Sequence, residues 1–577
     1  MNVKVDIQKI IKKTVSNLYS DLRDRANQSI DVSVEKPKEA MHGDYSTNIA
    51  LVLAKQLKKN PNDVAQKIVS EINQLLIREN KQSGRVMFKK VEVVGGFINF
   101  FINDEIFNKN IKGILKNKHF CKNQHLKNQK VMVEYTDPNI LKEFHIGHLM
   151  SNTIGESISR IFEFQGAKVK RVNYQGDVGL HVAKAIWGKK NATPPPLSDE
   201  IKNWAFAYGF GSQMYEGEKE KKEIEEINKK IYDRSDPKIN ALYDSGRKIS
   251  IEYFETIYKK LGTKFDYYFF ESEVADFGKK IVEKNLGKVF EKGENGAIIF
   301  KGEKAGLHTR VFINSEGLPT YEAKDLALPQ MKYGNYKYDR SIIVTASEQN
   351  EYFKVMLCAL AQISPKLASK TLHIGHGMMR LPEGKMSSRM GKVITGETLL
   401  KSVEELVEKK LQDRDIPKIE KDTIVENVAV GAIKYSILKQ SIGSDIIYDV
   451  DKSVAFEGDS GPYLQYSLAR AISVLAKAKA EKIKPSLKKA PNEVSFLVKH
   501  MHYFPEIVEK AGKEFEPHYL VTYLTELASA FNSYYAQNKI VDKTDDFSPY
   551  KLAVVEAFTV IMKNGLWLLG IHYLEKM

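Results

Sequence analysis

The string His145-Ile146-Gly147-His148 sets two imidazoles three residues apart with a glycine between them. Imidazole N–H groups can donate to a phosphate whose charge shifts as a bond to phosphorus breaks. Gly147 lets the backbone come close to a flat base or sugar. Such chemistry depends on where the string sits. Val131–Thr136 before it is short, apolar and bounded by Asp137-Pro138, which reads as a strand. After it, Ile154, Ile158, Ile161 and Phe162 recur at helical spacing, and Gly166 suits a helix C-terminus. Val169–Tyr174 reads as a second strand. Strand, helix and strand in that order predict a βαβ unit and a doubly wound parallel sheet. Anions bind such sheets at the carboxyl ends of the strands, beside a helix N-terminus. A second copy of the string, His373 to His376, lies in a β-like run followed by Gly377-Met378-Met379. No helix opens there, so the second copy reads as coincidence.

Roughly 240 residues after the first string comes Lys385-Met386-Ser387-Ser388-Arg389, between Gly384 and Gly391. A loop of cations and hydroxyls can cover a triphosphate and stabilise the charge that develops on pyrophosphate. Alone it would read as a basic surface loop; a correctly framed phosphate site upstream gives it meaning.

These motifs sit in a chain of 577 residues, enough for three to five domains. Residues 1–115 read as a small α+β unit. It has a helix bearing Ile7, Ile11, Val15 and Leu18, another over Ile49–Leu57, and a β-rich run over Val91–Ile102 broken at Gly95-Gly96. A Lys/Asn-rich linker leads to the α/β region at 125–393, which carries a charged helical insertion at about 187–265. Strand-like segments at Ala297–Phe300, Arg310–Ile313 and Ser341–Val344 suggest that the sheet resumes after the insertion. The remainder, 394–445 and 446–577, is helical, with a Lys-rich loop over Ala476–Pro491. Lys+Arg number 88 against 73 Asp+Glu, and the resulting +15 suits an anionic partner such as nucleic acid, although solvated lysines alone give the same balance. Cys121 and Cys358 form neither a CxxC pair nor a ligand cluster, so no disulfide framework and no structural metal are expected. No signal peptide or membrane span is read, and a cytoplasmic, monomeric protein is expected.

The surrounding residues carry a family resemblance. "VEYTDPNILKEFHIGHL", "VNYQGDVG", "LPTYEAKDLAL", "LPEGKMSSRMGKV", "VGAIKYSILKQ" and "GPYLQYSLAR" resemble the class I aminoacyl-tRNA synthetases, and among them the arginyl-tRNA synthetases. "HGDYSTNIALVLAK" and "GFINFF" near the start, and "FEPHYLVTYLTELASAFNSYY" near the end, extend the resemblance over nearly the whole chain. It implies a Rossmann-like catalytic domain, a tRNA-contacting N-terminal domain, a helical stem-contact region at 394–445 and an all-α anticodon-binding domain at 446–577. It also implies ATP as substrate with Mg2+, L-arginine and tRNA(Arg) as partners, and a need for bound tRNA before arginine is activated.

Residue by residue, the resemblance places arginine against Glu134, Asn139, Tyr321, Asp325 and Gln349. It places ATP against His145, Gly147, His148, Gly176, Asp177, Gly179 and Met386, with Lys385, Ser387, Ser388 and Arg389 closing over the phosphates. Two positions depart from the family's pattern. Met150 stands where an arginine usually follows the first motif, and Ser388 stands where the second motif has its final lysine. Lys142, three residues before His145, sits where the family supplies a compensating cation. Tyr534 and Tyr535 are candidates for stacking on anticodon bases, whereas Trp567 reads as core. Two rival readings are a compact small-molecule adenylyltransferase, which needs no helical half, and a non-catalytic RNA-binding paralogue, which needs no intact motifs.

Overall fold

The computed structural model describes residues 3–19, 31–83, 86–193, 199–382, 395–412 and 416–577. The chain forms two compact units. One comprises Met1–Lys116 together with Ser486–His502. Its sheet is antiparallel in the order β1-β3-β2, with β1 Tyr45–Thr47, β2 Phe88–Val94 and β3 Phe97–Ile102. The β2–β3 hairpin turns at Gly95-Gly96, both at positive φ (59° and 81°). The segment from the far end of the sequence completes this core. Leu497, Val498 and Met501 are buried there, His502 packs edge-on to Phe107 at 5.3 Å, and Lys499 reaches Asp44 at 3.3 Å. A contiguous reading of 446–577 does not anticipate this, because the contacts that bind residues 486–502 are with residues some 400 positions earlier.

The second unit, Asn117–Pro485 with Tyr503–Met577, is built on a parallel sheet. Its strands are β4 Lys130–Tyr135, β5 Lys168–Gln175, β6 Tyr267–Phe270, β10 Arg340–Ala346 and β11 Thr371–His376. All neighbours pair in parallel, in the order β11-β10-β4-β5-β6. The order reverses between β4 and β10, which makes the carboxyl ends of those strands the expected ligand site. Val131 to Tyr135 of β4 are all buried, as a strand covered on both faces requires. One expectation is corrected here. Ile298–Phe300 (β8) and Arg310–Ile313 (β9) do not continue the parallel sheet; with β7 Glu291–Lys292 they form a separate antiparallel sheet. Local strand propensity cannot say which partner a strand takes.

The helix Ile146–Phe164 runs from the site into the helical half. Its Ser157 hydroxyl donates to Leu568 O at 2.9 Å, and Arg160 donates to Trp567 O and Gly262 O at 3.0 Å each. Lys434, wholly buried, donates to Leu261 O and Gly570 O at 2.6 and 2.8 Å. Two cations therefore cap the C-terminal ends of the helices Pro237–Leu261 and Ser548–Leu568. Glu156 counters Arg160 and Arg171 at 2.6 and 2.8 Å and accepts the Tyr135 hydroxyl at 2.6 Å. Met150 is buried in this helix, where a thioether packs as the family's usual arginine could not without a partner.

Candidate active site

The chain leaves β4 through a strained turn. Thr136, Asp137 and Leu141 all adopt positive φ (83°, 45° and 62°). A β-branched residue in that region costs on the order of 1–3 kcal/mol, so the surroundings must hold it. They do: Ser151 accepts the Thr136 N–H at 2.9 Å, and Asn152 donates to the Thr136 hydroxyl at 3.0 Å.

The turn delivers His145 to the N-cap of the following helix. Its N–H donates to His148 Nδ1 at 3.2 Å, and the His148 N–H donates to His145 Nδ1 at 3.3 Å. The two rings stack with centroids 3.4 Å apart. Because both Nδ1 atoms accept, each neutral ring carries its proton on Nε2. Burial, then the Lys142 charge, pulls His145 down to about 4; burial, His145 and Lys142 hold His148 well below the usual range. At neutral pH the pair thus offers two Nε2–H donors beside a helix N-terminus, an arrangement that can receive a phosphate. Lys142 stands over the Tyr208 ring at 4.1 Å.

At the same end of the sheet lies a cluster of carboxylates. Glu134 is buried at the end of β4 and pairs with Lys332 at 2.8 Å. Glu271 is equally buried and pairs with Lys324 at 2.6 Å. Asp325 accepts the Tyr352 hydroxyl at 2.6 Å, and among the described residues it has no cationic partner in hydrogen-bond reach. Burial, with Glu271 and Glu134 nearby, pushes its carboxyl up to about 7. The Tyr174 hydroxyl, buried among the charges of Asp325, Glu271 and Glu134, has no hydrogen-bond partner among the described residues. Lysines therefore neutralise Glu134 and Glu271, whereas Asp325 and the neighbouring Asp137, whose carboxyl burial and Glu134 hold well above the usual range, have no ion pair among the described residues, a set that an incoming cation could complete. Glu271, Lys324, Lys332, Tyr174 and Tyr352 were not singled out from sequence. Lys324 and Lys332 recur at i and i+8 among apolar residues of the helix Tyr321–Asn335, a signal that buried lysines await acidic partners.

Other candidates fall variously. Asn139 lies against Gly176: a Cβ there would meet its Oδ1 at 2.1 Å and Glu271 Oε1 at 3.3 Å, so only glycine lets the amide approach the carboxylates. Tyr321 is 51% exposed at the head of its helix, with its ring 4.9 Å from the Lys324 ammonium. Gln349 is exposed in the turn after β10, and no described hydrogen bond joins it to the cluster. Gly179, at φ 121°, starts the helix Leu180–Asn191. Asp177 is fully buried and accepts from the Tyr243 hydroxyl, the Ser272 hydroxyl and the Ser272 N–H at 2.7–2.8 Å, with Arg247 at 3.3 Å, so its side chain pins the turn that follows β5. Lys385, Met386, Ser387, Ser388 and Arg389 lie outside the described residues. The chain is described again from Thr395, which bridges to His145, while Gly396 N–H donates to Phe144 O at 2.6 Å. The second HIGH string is strand β11. Its His373 stacks on Phe353 at 4.0 Å and meets Thr345 at 2.7 Å, and His376 is buried against Gly377 O at 2.7 Å.

The family described as tRNA synthetases class I (R), catalytic domain, matches residues 110–450. The Arginyl tRNA synthetase N terminal domain matches 5–102, and the DALR anticodon binding domain matches 464–577. The arginine–tRNA ligases of Clostridium acetobutylicum and Treponema denticola are each 30% identical to the chain; the first alignment covers 96% of this chain and 99% of the relative, the second all of both. The chain belongs to the arginyl-tRNA synthetases of class I. The fold agrees: the Thermus thermophilus arginyl-tRNA synthetase superposes over the full length of both chains with a TM-score of 0.79 at 22% identity. The Plasmodium falciparum arginyl-tRNA synthetase gives 0.75 at 23% over all of this chain and 99% of the other.

On the helix His518–Gln537, Tyr535 is 42% exposed and faces the Arg470 guanidinium at 5.3 Å, whereas Tyr534 is half-buried. Trp567 corrects an expectation: it is 40% exposed and covered on one face by Arg160 at 5.3 Å, so it is not core. Within the N-terminal unit a pocket of about 560 Å³ is lined by Lys36, Lys38, His42, Asn48, Phe97 and Asn99, among others. Both amide atoms of Asn99 are buried there without a partner among the described residues. Among the described residues no helix is long and apolar enough to cross a membrane, and no cluster of three metal-ligating side chains occurs.

Proposed function

We infer that the chain activates L-arginine with ATP and transfers the arginyl group to the 3′ end of tRNA(Arg). The observation that carries this reading is the half-buried Asp325 carboxyl, raised to about 7 beside two carboxylates that already have lysines, at the same sheet end as the paired imidazoles. A guanidinium supplies the missing charge and planar donors for Asp325 and the Tyr174 oxygen. The α-carboxylate of arginine then attacks the α-phosphate of ATP, forming the arginyl-adenylate and releasing pyrophosphate, and the terminal ribose hydroxyl of tRNA displaces AMP. Mg2+ enters with ATP as part of the substrate. His145, His148 and Lys142 act on the α-phosphate side; Lys385, Ser387 and Arg389 hold the β- and γ-phosphates. Neutral Nε2–H donors suit this work, since they stabilise developing charge without first having to lose a proton. No covalent enzyme intermediate is needed: the work is positioning and charge stabilisation.

Lysine is rejected because a point-charge ammonium leaves the forked acceptors unpaired. Tyr535 with Arg470 offers a stacking platform for an anticodon base, and the Asn99 pocket offers an unpaired amide, an exposed ring and cations for a looped-out base of the same tRNA. ATP–pyrophosphate exchange across the twenty amino acids, with and without tRNA(Arg), tests the reading. Exchange is expected with arginine alone among them, and only when tRNA is present. Exchange with another amino acid overturns the substrate; exchange without tRNA overturns the coupling and leaves the substrate standing.

A further inference from the structure

The helices from Leu180 to Leu261, between β5 and β6, carry none of the residues assigned to substrate, yet they grip the segment that leads into the phosphate site. Ser250 accepts the Leu141 N–H at 2.9 Å, which holds that residue's left-handed backbone. Leu141 packs on Gly246 so closely that a Cβ there would meet Leu141 Cδ2 at 2.5 Å. The Tyr253 hydroxyl accepts the Phe144 N–H at 3.3 Å and donates to Glu397 at 3.1 Å. Between these two anchors stands Lys142, its ammonium 4.1 Å from the centroid of the Tyr208 ring.

Tyr208 reaches that place because two helices touch backbone to backbone. A Cβ on Gly188 would meet Ala207 O at 2.0 Å, and one on Gly211 would meet Lys184 O at 2.1 Å. The helix Glu200–Met214 is thereby drawn against Leu180–Asn191, with Tyr208 between its two contact points. Trp204 and Trp187 of the same pair are buried.

We propose that the helices from Leu180 to Leu261 are the positioning device of the phosphate site, and that Tyr208 is the positioning residue that aims Lys142 by holding its ammonium over the ring face. A flexible four-carbon stem leaves an unheld lysine many rotamers, and fixing one of them ahead of substrate removes that cost from the transition state. A cation on an aromatic face is stabilised by the ring quadrupole without losing its hydrogen-bond donors, which stay available to phosphate. Burial raises the Tyr208 phenol, while the neighbouring Lys142 ammonium, Ser212 and Lys184 bring it below the usual range.

The inference rests on the assignment of Lys142 to the α-phosphate, and the test separates the two. Arginine-dependent pyrophosphate exchange is measured on the full chain with tRNA for Tyr208→Leu, Tyr208→Phe, Lys142→Met and the double variant Tyr208→Leu/Lys142→Met. Tyr208→Leu should lower kcat about five- to thirtyfold, the range of a cation–π contact, with the arginine KM within twofold. Tyr208→Phe, which keeps the ring face, should recover most of that loss. In the Lys142→Met background Tyr208→Leu should cost less than twofold more, because the contact is already gone. Should Tyr208→Leu fold poorly, a series of fluorinated phenylalanines at position 208 replaces it; kcat should fall stepwise as fluorine drains the ring face, at constant thermal midpoint. Additive losses in the double variant, or no response to fluorination, overturn the role of Tyr208. Full activity in Lys142→Met overturns the assignment of Lys142 and the inference with it.

Discussion

Replacing Asp325 by Asn removes one charge and little else. The amide oxygen still accepts the Tyr352 hydroxyl, which now lies 2.6 Å from Asp325 Oδ2. What is lost is one charge-assisted partner of the guanidinium, which contributes about 1.5–3 kcal/mol. At 1.4 kcal/mol per decade, the arginine KM should rise roughly 10- to 140-fold, with a smaller effect on the ATP KM. The pH dependence is more telling. In the free enzyme burial raises Asp325 to about 7, and a permanently charged guanidinium binds the ionised form. The wild-type arginine KM should therefore be flat above pH ~8 and climb up to ~tenfold per unit as pH falls through 7. The Asn variant should show no such climb. A raised carboxyl also binds a proton in the folded state that the unfolded chain has already released, so it reduces stability as pH rises through that window. The substrate-free Asp325→Asn protein should consequently unfold at a higher temperature than wild type at pH 8. Arginine titrations by exchange kinetics and thermal melts at pH 6, 7 and 8 measure all three. An unchanged arginine KM, or the same pH slope in both proteins, would refute the reasoning.

Three further outcomes are expected. His148→Ala should lower exchange kcat about 100-fold through loss of one Nε2–H donor, whereas His376→Ala, in the core of β11, should shift the melting midpoint and leave kcat nearly intact; the reverse ranking would move the active site to the wrong string. At saturating arginine, kcat should stay flat from pH 8 to ~5.5 and then fall, since burial and Lys142 hold His145 down to about 4; stability from this residue is present above the ordinary histidine range and lost as pH falls through that lower value, and a kcat break near pH 6.5 would contradict the neutral pair. Glu156→Gln leaves Arg160 without its buried counter-charge, while Arg171 keeps its pair with Glu163, and should cost about 3–5 kcal/mol, read as an earlier urea midpoint; an unchanged midpoint would show that solvent reaches the Arg160 guanidinium.

The sequence by itself determined the βαβ frame, the framed HIGH string, the coincidence of its second copy with a strand and the helical second half. Each rests on local pattern: a period of 2 or 3.6, a glycine or proline stop, a motif of five residues or fewer. The charges that matter in the pocket were half legible. Glu134 and Asp325 stood in register with family motifs, but Lys332, 198 positions from Glu134, and Lys324, 53 positions from Glu271, entered only when folding closed the loops between them. The same closure decides that Asp177 is buried against Tyr243 and Ser272, that Trp567 lies exposed beneath Arg160 and not in the core, and that residues 486–502 complete the N-terminal unit. Sequence periodicity reports which face of an element is apolar; it carries no record of which distant element covers that face. Whether a buried carboxylate is spent on a lysine or kept for substrate is therefore a property of the tertiary structure alone.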